Sequence, residues 1–428
     1  PGRGGVAIVR VSGTMAPAIA QTLLGGLPAP RVATFGRWRD AAGEIIDSGI
    51  AILFPAPASF TGEDVLELQG HAGLIVEALI ERVVELGARR ARPGEFSERA
   101  FINDKIDLAQ AEAIADLIDA GSRGAARAAM RSLQGEFSAR VQATRAALTN
   151  LRVYVEAAID FPEEEIDFLG SLELRERVEY VQKLLDDVLT AARRGAQLTR
   201  GLTVVIAGRP NAGKSTLLNA LAGYDAAIVT PVAGTTRDPL RVQLEIHGVP
   251  VELIDTAGLR DGTRDAIEAE GMRRAREAIA RADHLLYVVD AAEDPGAHSF
   301  DEERDALPAG VPVTLVMNKS DLAGATAQGL SLSAATGEGM EALRERLARM
   351  AGHTEAAGGS FSARARHVDA LQRAAAQLAA ARAQLEAKQG ELAAFELRGA
   401  QASLGEVIGD VTSDELLGHV FRSFCIGK

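Results

Sequence analysis

The sequence contains a single cysteine, Cys425, and no long apolar run. One cysteine cannot form an internal disulfide or a site with several thiolate ligands, so we expect a reducing compartment. No apolar stretch reaches the roughly 18 residues that a membrane-spanning helix requires, and no basic-then-apolar signal segment is present at the N-terminus. We therefore expect a cytoplasmic protein with no membrane partner.

Lysine is also scarce, because only six of the 46 basic residues are lysine and arginine supplies the rest. Each lysine is a candidate for a role that arginine cannot fill. The basic residues are outnumbered by 59 acidic ones, and the formal net charge of −13 argues against a generally basic nucleic-acid binder. A local basic groove remains compatible with this charge.

The apolar patterning changes along the 428 residues and predicts four segments. Residues 1–106 combine strand-like runs with a helix-like stretch at 74–86, which is typical of a small α/β domain. The strand-like runs lie at 6–11, 50–54 and 65–69.

A helical period dominates residues 107–200 and returns in residues 353–428. Between them, residues 201–352 alternate buried apolar runs with helical stretches, which predicts a doubly wound, mostly parallel sheet. His247 and Gly248 separate two strand-like runs and predict a hairpin that adds an antiparallel edge strand. We therefore expect multidomain α/β plus all-α architecture, in which an α/β domain is inserted into a discontinuous helical domain.

A GxxxxGKS segment at 208–215 follows the predicted strand at 203–207 and opens a helix. In that context the glycine amides wrap phosphate groups at a helix N-terminus. Lys214 would reach the terminal phosphates, and the Ser215 hydroxyl would bind Mg²⁺. The predicted phosphate-binding residues are Asn211, Ala212, Gly213, Lys214, Ser215 and Thr216.

Further nucleotide motifs follow the next predicted strands. Asp321 can accept two hydrogen bonds from the N1–H and exocyclic amine of guanine, which adenine does not offer, so the site is predicted to select GTP over ATP. Thr236, in the segment between the strands, is predicted to complete the Mg²⁺ shell. The other predicted nucleotide-binding residues are Thr235, Asp255, Thr256, Ala257, Gly258, Asn318, Lys319, Ser333, Ala334 and Ala335.

Catalysis of GTP hydrolysis needs a group that orients water. Ras-type GTPases place a glutamine directly after Asp-x-x-Gly, whereas this sequence has Leu259. Glu268 is a candidate for the water-orienting group. A structural role is equally compatible with the sequence, because the helix macrodipole stabilises a carboxylate at the start of a helix.

Five further segments lie outside the predicted nucleotide motifs. With them, the sequence resembles the bacterial MnmE (TrmE) family of tRNA-modification GTPases over its whole length. The resemblance implies an N-terminal folate-binding and dimerisation domain, a discontinuous helical domain and an inserted Ras-like GTPase domain. The segments are 1–5, 59–64, 92–96, 107–113 and 424–428.

The resemblance implies a homodimer that acts with the flavoprotein MnmG, in a heterotetramer or larger complex, on the C5 atom of the wobble uridine of tRNA. An aminomethyl or carboxymethylaminomethyl group is built there from the one-carbon unit of 5-formyl- or 5,10-methylene-tetrahydrofolate, and FAD belongs to the partner. It also implies K⁺-dependent pairing of GTPase domains, with Glu268 as the water-orienting residue. The implied K⁺ ligands are Asn211, Thr230, Val232 and Thr235, of which Thr230 also lies at the nucleotide.

The implied folate-binding residues are Arg10, Glu67, Lys105 and Lys428. Without the resemblance, each of the first three reads as an ordinary surface residue. Cys425 is either a reactive thiol of the modification site or a small buried apolar residue. The acidic segment 160–165 suggests a solvated turn rather than a metal site.

Two alternative functions can be compared with the sequence. A GTP-dependent binding switch, such as a ribosome-assembly factor, would share the nucleotide motifs but needs no modification chemistry. An ATP-dependent motor conflicts with Asn318-Lys319-Ser320-Asp321.

Overall fold

The computed structural model describes residues 5–160, 171–224, 240–255, 279, 282–307, 310–323, 328–350, 361–410, 417–418, 420–421 and 424. The chain forms two compact units, of which the first combines Pro1–Ala115 with Gly405–Lys428 and the second is Asp116–Leu404. The division into four domain segments stays a prediction. None of the helices within the described ranges is long and apolar enough to cross a membrane.

The first unit is built on a four-stranded antiparallel sheet with the strand order β1-β4-β3-β2. All the elements predicted for this segment are present, and the sequence analysis missed α1, β2 and α3. The elements are β1 (Ala7–Ser12), α1 (Ala16–Leu24), β2 (Thr34–Arg39), β3 (Ile45–Phe54), β4 (Val65–Gly70), α2 (Leu74–Glu85), α3 (Glu95–Ile102) and α4 (Leu108–Ile118), which ends beyond the unit.

The strands of this sheet bury one face. Leu66 and Leu68 of β4 are fully buried and share a core with Ile19 of α1 and Leu79 of α2. Because side chains alternate along a strand, Glu67 lies on the opposite face. The sheet therefore has one face covered by two helices and a second face that is open in part.

Trp38 of β2 fills this core and is fully buried. A Cβ atom on Gly49 would lie 2.1 Å from the Gln69 carbonyl oxygen and 3.1 Å from the Trp38 ring, and one on Gly70 would lie 2.4 Å from Asp47 Oδ2 and 2.6 Å from that ring. Both positions therefore need glycine so that the neighbouring strands and the indole can pack this closely.

The C-terminal segment of the first unit packs on α4. Phe421 and Phe424 are buried, with ring centroids 5.5 Å apart, and they share a cluster with Leu108 and Ala111. The chain immediately before Cys425 is thus held by apolar contacts within this unit.

The second unit contains helices from both sides of the inserted α/β region. The sequence predicts that these helices form one discontinuous domain, and α7 packs against both α6 and α12. The rings of Phe137 and Phe361 stack at 4.5 Å, and Ser132 Oγ donates to the Ser362 carbonyl at 2.9 Å. The helices are α5 (Arg123–Leu133), α6 (Glu136–Asp160), α7 (Leu172–Arg200), α12 (Ala365–Glu386) and α13 (Gly390–Ile408), which ends beyond the unit.

The inserted region forms a six-stranded sheet with the order β10-β9-β8-β5-β7-β6. All described neighbours pair in parallel except β6 and β7, which form the predicted antiparallel hairpin at the edge. The elements are β5 (Leu202–Ala207), α8 (Lys214–Tyr224), β6 (Leu240–Ile246), β7 (Val249–Asp255), β8 (His284–Asp290), α9 (His298–Glu303), a 3₁₀ turn (Arg304–Ala306), β9 (Val313–Asn318), α10 (Ser320–Ala323), β10 (Leu330–Ser331) and α11 (Met340–Met350).

Apolar layers cover both faces of this sheet. Val204 and Ile206 of β5 pack with Leu217 of α8 on one face, while Val205 packs with Tyr287 on the other. Burial on both faces explains the continuous apolar runs in the sequence. The predicted fold class, α/β regions combined with an all-α region, is confirmed.

Candidate functional site

The GxxxxGKS loop lies between the end of β5 and the start of α8. Gly208 has φ +140°, and a Cβ atom there would lie 2.1 Å from the Val288 carbonyl oxygen. Gly213 has φ +90°, and a Cβ atom there would lie 2.2 Å from Asn318 Nδ2. Only glycine fits these positions, which bring the loop backbone against the ends of β8 and β9. The loop and the N-terminus of α8 form a cradle suited to phosphate groups.

Lys214 lies inside this loop with a buried side chain. Its Nζ donates hydrogen bonds to the carbonyl oxygens of Gly208 at 3.0 Å and Arg209 at 2.8 Å. A positive charge is therefore held at the loop, where a phosphate would attract it.

Ser215 and Asp255 meet at the same edge of the sheet. Ser215 Oγ donates to Asp255 Oδ2 at 2.9 Å, and the Asp255 carboxylate is buried. Hydroxyl and carboxylate oxygens are the ligands that Mg²⁺ prefers, so these two residues fit a magnesium site. Among the described residues, no group of three or more His, Cys, Asp or Glu side chains is arranged to hold a metal ion.

Asn318 joins three of the predicted motifs. It is buried at the end of β9, and its Nδ2 donates to the Ala212 carbonyl at 2.9 Å. Its Oδ1 accepts from the Ala334 amide at 3.0 Å. The predicted phosphate-binding loop, the Asn-Lys-x-Asp motif and the segment after β10 are thus connected through one side chain, with Ser333 fully buried beside it.

The remaining described residues of these motifs lie around this centre. Asp321 is exposed in the first turn of α10, and Ala335 and Thr216 are also exposed. Lys319 Nζ lies 2.5 Å from Asp290 Oδ2. Asn211 is exposed, with φ +62°.

Several predicted residues lie outside the described part of the chain, so their contacts are not part of this geometry. The nucleotide and K⁺ candidates among them are Thr230, Val232, Thr235, Thr236, Thr256, Ala257 and Gly258, together with Leu259, and the others are Glu268, Cys425, Lys428 and the acidic segment 161–165.

In the first unit, two predicted folate-binding residues form a cross-strand ion pair. Arg10 of β1 lies opposite Glu67 of β4, and Arg10 Nη2 lies 2.7 Å from Glu67 Oε1. The guanidinium also lies 6.0 Å from the ring centroid of Phe60 and 5.7 Å from that of Phe96. Lys105 instead donates from Nζ to the Pro57 carbonyl at 2.9 Å. The described contacts therefore join Arg10 to Glu67 and do not join Lys105 to this pair.

Arg10 also lines a cavity of about 590 Å³ in the first unit. Glu95 lines the same cavity and accepts hydrogen bonds from Arg89, from the Arg92 amide at 2.8 Å and from Arg99 Nη2 at 2.9 Å. The bond from Arg89 has the largest effect, and with the other donors it outweighs burial and lowers the pKa of Glu95 to about 2. The cavity wall therefore carries a fixed negative charge that is surrounded by arginine.

Comparison with known proteins decides the family. Residues 1–105 match the family described as GTP-binding protein TrmE N-terminus, and residues 108–425 match the MnmE helical domain. The chain is 55% identical over 442 aligned positions to the tRNA modification GTPase MnmE of Pseudomonas syringae pv. tomato, covering 100% of this chain and 97% of that protein. The chain belongs to the MnmE family of tRNA modification GTPases. This MnmE-family protein is therefore a GTP hydrolase of tRNA modification.

Solved structures that resemble part of the MnmE-family chain include those of two other proteins. Era of Aquifex aeolicus has 24% identity and a TM-score of 0.30, covering 41% of this chain and 66% of its own. The G domain of the T. maritima FeoB iron transporter has 26% identity and a TM-score of 0.28, covering 35% of this chain and 98% of its own.

Sequence reasoning missed one residue at the edge of the MnmE-family nucleotide site. Asp290 ends β8 and contacts Lys319, but a single aspartate at the end of an apolar strand has no distinctive spacing. The signal that could have identified it is its position, because the carboxyl ends of parallel strands meet at one edge of a sheet. A second cavity, of about 840 Å³, is lined by residues including Arg200, His284 and Arg364, and no predicted site residue lines it.

Proposed function

We propose that the loop at 208–215 binds the phosphates of GTP, that Ser215 and Thr236 hold Mg²⁺, and that Asp321 recognises guanine. The observation that carries this proposal is the pair of hydrogen bonds from Asn318 to the Ala212 carbonyl and from the Ala334 amide to Asn318. They bring the loop at 208–215 and the motif at 318–321 to the same sheet edge, which supports these roles. A nucleoside triphosphate has its phosphates and its base at opposite ends, which suits this arrangement.

Hydrolysis in this proposal depends on K⁺ and on Glu268. Asn211, Thr230, Val232 and Thr235 would supply K⁺ ligands, and a cation there stabilises the negative charge that develops on the transferred phosphate. Membership of the MnmE family supports this assignment, as does the position of Asn211 in the phosphate-binding loop.

The modification reaction would take place with the flavoprotein MnmG. Its product is an aminomethyl or carboxymethylaminomethyl group on C5 of the tRNA wobble uridine, and tetrahydrofolate supplies the one-carbon unit when bound. Arg10, Glu67, Lys105 and Lys428 would bind the folate, because a carboxylate suits the adjacent N–H donors of a pterin and basic groups suit its glutamate tail. The cross-strand pair of Arg10 and Glu67 supports this part of the proposal.

The protein would act as a cytoplasmic homodimer. The open face of the first unit's sheet supports this, because Phe35 is 70% exposed, Ile8 51% and Ile50 41%. Phe35 of β2 lies opposite Ile50 of β3, and both Ile50 and Ile8 of β1 lie opposite Gln69 of β4. The three apolar residues therefore share one face of the sheet. An exposed apolar face of this kind marks an interaction surface. The net charge of −13 suggests that tRNA contacts are local or shared with the partner.

Reconstitution tests the proposed function. The protein is combined with MnmG, GTP, K⁺, Mg²⁺, a tetrahydrofolate and an unmodified tRNA, and the nucleosides are analysed after digestion. We expect a modified wobble uridine that disappears when GTP or folate is omitted, or when Lys214→Ala replaces the wild type. GTP turnover without any nucleoside product would refute the proposed reaction and favour a GTP-dependent binding switch.

A further inference from the structure

Asp290 carries a carboxylate at the nucleotide edge that none of the predicted motifs includes. Its Oδ2 lies 2.5 Å from Lys319 Nζ. Its Oδ1 accepts hydrogen bonds from the amides of Ala292 at 3.0 Å and Glu293 at 3.4 Å. The residue is 7% exposed, so these protein donors replace most of its contact with water.

The two residues of this ion pair stand on neighbouring strands. Asp290 of β8 lies opposite Asn318 of β9, and the Ala291 amide donates to the Asn318 carbonyl at 2.8 Å. The backbones that carry Asp290 and Lys319 are therefore fixed relative to each other. The ion pair can hold the lysine side chain in one direction without moving either strand.

The charge of Asp290 is maintained at neutral pH. Burial alone would raise the pKa of Asp290, but the hydrogen bond from Lys319 and those from the two backbone amides hold it below its usual range. Asp290 thus offers a full negative charge to the Lys319 ammonium, which makes the bond between them charge-assisted.

Lys319 itself has an unusual backbone conformation. Its φ is +64°, in the left-handed region that residues with a Cβ atom rarely adopt. Such a conformation persists where the surrounding contacts determine it. Two sets of contacts surround Lys319: the neighbouring Asn318 is held by its own hydrogen bonds, and Asp290 binds the lysine side chain. Lys319 lies two residues before Asp321.

We propose that Asp290 is a positioning residue of the guanine site, which fixes the four-carbon stem of Lys319 as one wall of the space that receives the base. Asp290 acts through Lys319 and does not touch the nucleotide. This inference rests on the proposed GTP site. A lysine stem that is already ordered loses less side-chain entropy when the nucleotide binds.

The test compares nucleotide binding with turnover in Asp290→Asn. Asparagine keeps the size of the side chain and an oxygen for the amides of Ala292 and Glu293, but it removes the charge that holds Lys319. We expect the dissociation constants for GTP and GDP to rise by about tenfold. We expect kcat at saturating GTP and Mg²⁺ to stay within about twofold, because Lys214, Ser215 and Asp255 at the phosphate end are unchanged.

A matched control lies in the same loop. Glu293 is an exposed acid whose backbone amide donates to Asp290, so Glu293→Gln removes a side-chain charge beside Asp290 and keeps that hydrogen bond. We expect Glu293→Gln to bind GTP as the wild type does. A loss of affinity equal to that of Asp290→Asn would overturn the proposal, because it would reflect the loop and not Lys319.

A double-mutant cycle decides whether the effect passes through Lys319. Lys319→Met keeps an apolar stem and removes the ammonium, and we expect Asp290→Asn to cause no further loss of affinity in that background. A full additional loss would overturn the proposal, as would an unchanged dissociation constant or a parallel fall in kcat for Asp290→Asn.

If Asp290→Asn does not fold, Lys319→Met alone must weaken binding by about tenfold with kcat retained, and unchanged binding would overturn the proposal. A wild type that binds ATP as tightly as GTP would instead refute the proposed GTP site.

Discussion

Ser215 Oγ donates a hydrogen bond of 2.9 Å to Asp255 Oδ2, which joins the start of α8 to the end of β7. The Ser215 hydroxyl and the Asp255 carboxylate would both be suitable ligands for a divalent cation. We predict that Ser215→Ala raises the Mg²⁺ concentration for half-maximal GTP turnover by at least about tenfold, because one ligand is lost. Phosphate release measured across a MgCl₂ titration provides the test.

Ser215→Thr is the matched control for this prediction. It retains the hydroxyl at the same position, so we expect a Mg²⁺ dependence close to that of the wild type. If Ser215→Ala also shows the wild-type dependence, Ser215 is not a magnesium ligand.

Asp321 provides a test of base selectivity. A carboxylate accepts hydrogen bonds from guanine, whereas the amide of asparagine can donate to the carbonyl that xanthine has in place of the exocyclic amine. We predict that Asp321→Asn weakens GTP binding by about 100-fold and strengthens XTP binding, since the NH2 donor of asparagine would face a donor of guanine in place of an acceptor. Competition between the two nucleotides for the protein, followed by fluorescence, measures both changes.

The exposed Asp305 supplies the control for that experiment. Asp305→Asn removes the same charge elsewhere in the second unit, and we expect it to leave the GTP preference unchanged. An Asp321→Asn protein that still prefers GTP over XTP would contradict the assignment of Asp321 to guanine.

Local sequence patterns predicted the nucleotide edge because its chemistry is encoded in consecutive residues. The strand, the glycine-containing loop and Lys214 follow one another in the sequence, so spacing alone places them. The hairpin at His247 was predictable for the same reason, and its residues have positive φ values of 48° and 82° at His247 and Gly248.

Contacts between distant residues were not predictable in this way. Arg10 and Glu67 are 57 positions apart, and their pairing depends on β1 lying beside β4 in the sheet. Trp38 lies in a strand that the sequence analysis missed, because glycine and arginine interrupt the apolar pattern of β2. Strand order and register thus determine the contacts that the chain's local patterns leave open.

The monovalent cation gives a further prediction. We expect GTP turnover to be faster in K⁺ than in Na⁺, because a bound cation stabilises the phosphate charge that develops during hydrolysis. The exposed Asn211 has φ +62°, so Asn211→Gly removes the side chain without adding backbone strain, whereas alanine would add it. We predict that Asn211→Gly abolishes the difference between K⁺ and Na⁺.

Equal wild-type rates in the two salts, at matched ionic strength, would refute the cation hypothesis. Asn211→Asp is the control variant, because it retains a side-chain oxygen and should keep the preference for K⁺. Turnover is followed by phosphate release in each salt.

Glu67 gives a prediction for folate binding. We expect Glu67→Ala to weaken 5-formyl-tetrahydrofolate binding by at least about tenfold, since the acceptor for the pterin N–H groups is lost and Arg10 loses its partner. Isothermal titration calorimetry measures the change, with Glu81→Ala as the control because Glu81 is an exposed acid on α2. Undiminished binding by Glu67→Ala would show that the folate binds elsewhere.

The buried histidine at the start of β8 gives a prediction about acid stability. His284 Nε2 lies 2.8 Å from Thr314 Oγ1, which also accepts a 3.0 Å hydrogen bond from Arg346 Nε. Burial has the largest effect, and with the positive charge of Arg346 it lowers the pKa of His284 from 6.5 to about 4. The imidazole is therefore neutral in the folded protein at pH values where an unfolded chain would protonate it.

Between pH 6.5 and about 4 the unfolded chain binds more protons at His284 than the folded protein, so the free energy of unfolding falls as the pH falls. The contribution of this group reaches up to about 3 kcal/mol at the acid end of the window. His284→Gln can still bond Thr314 but does not titrate, so we predict a smaller loss of stability on acidification. Denaturant unfolding followed by circular dichroism at pH 7 and pH 5 measures both proteins. Identical losses in the two proteins would show that His284 does not cause the acid sensitivity.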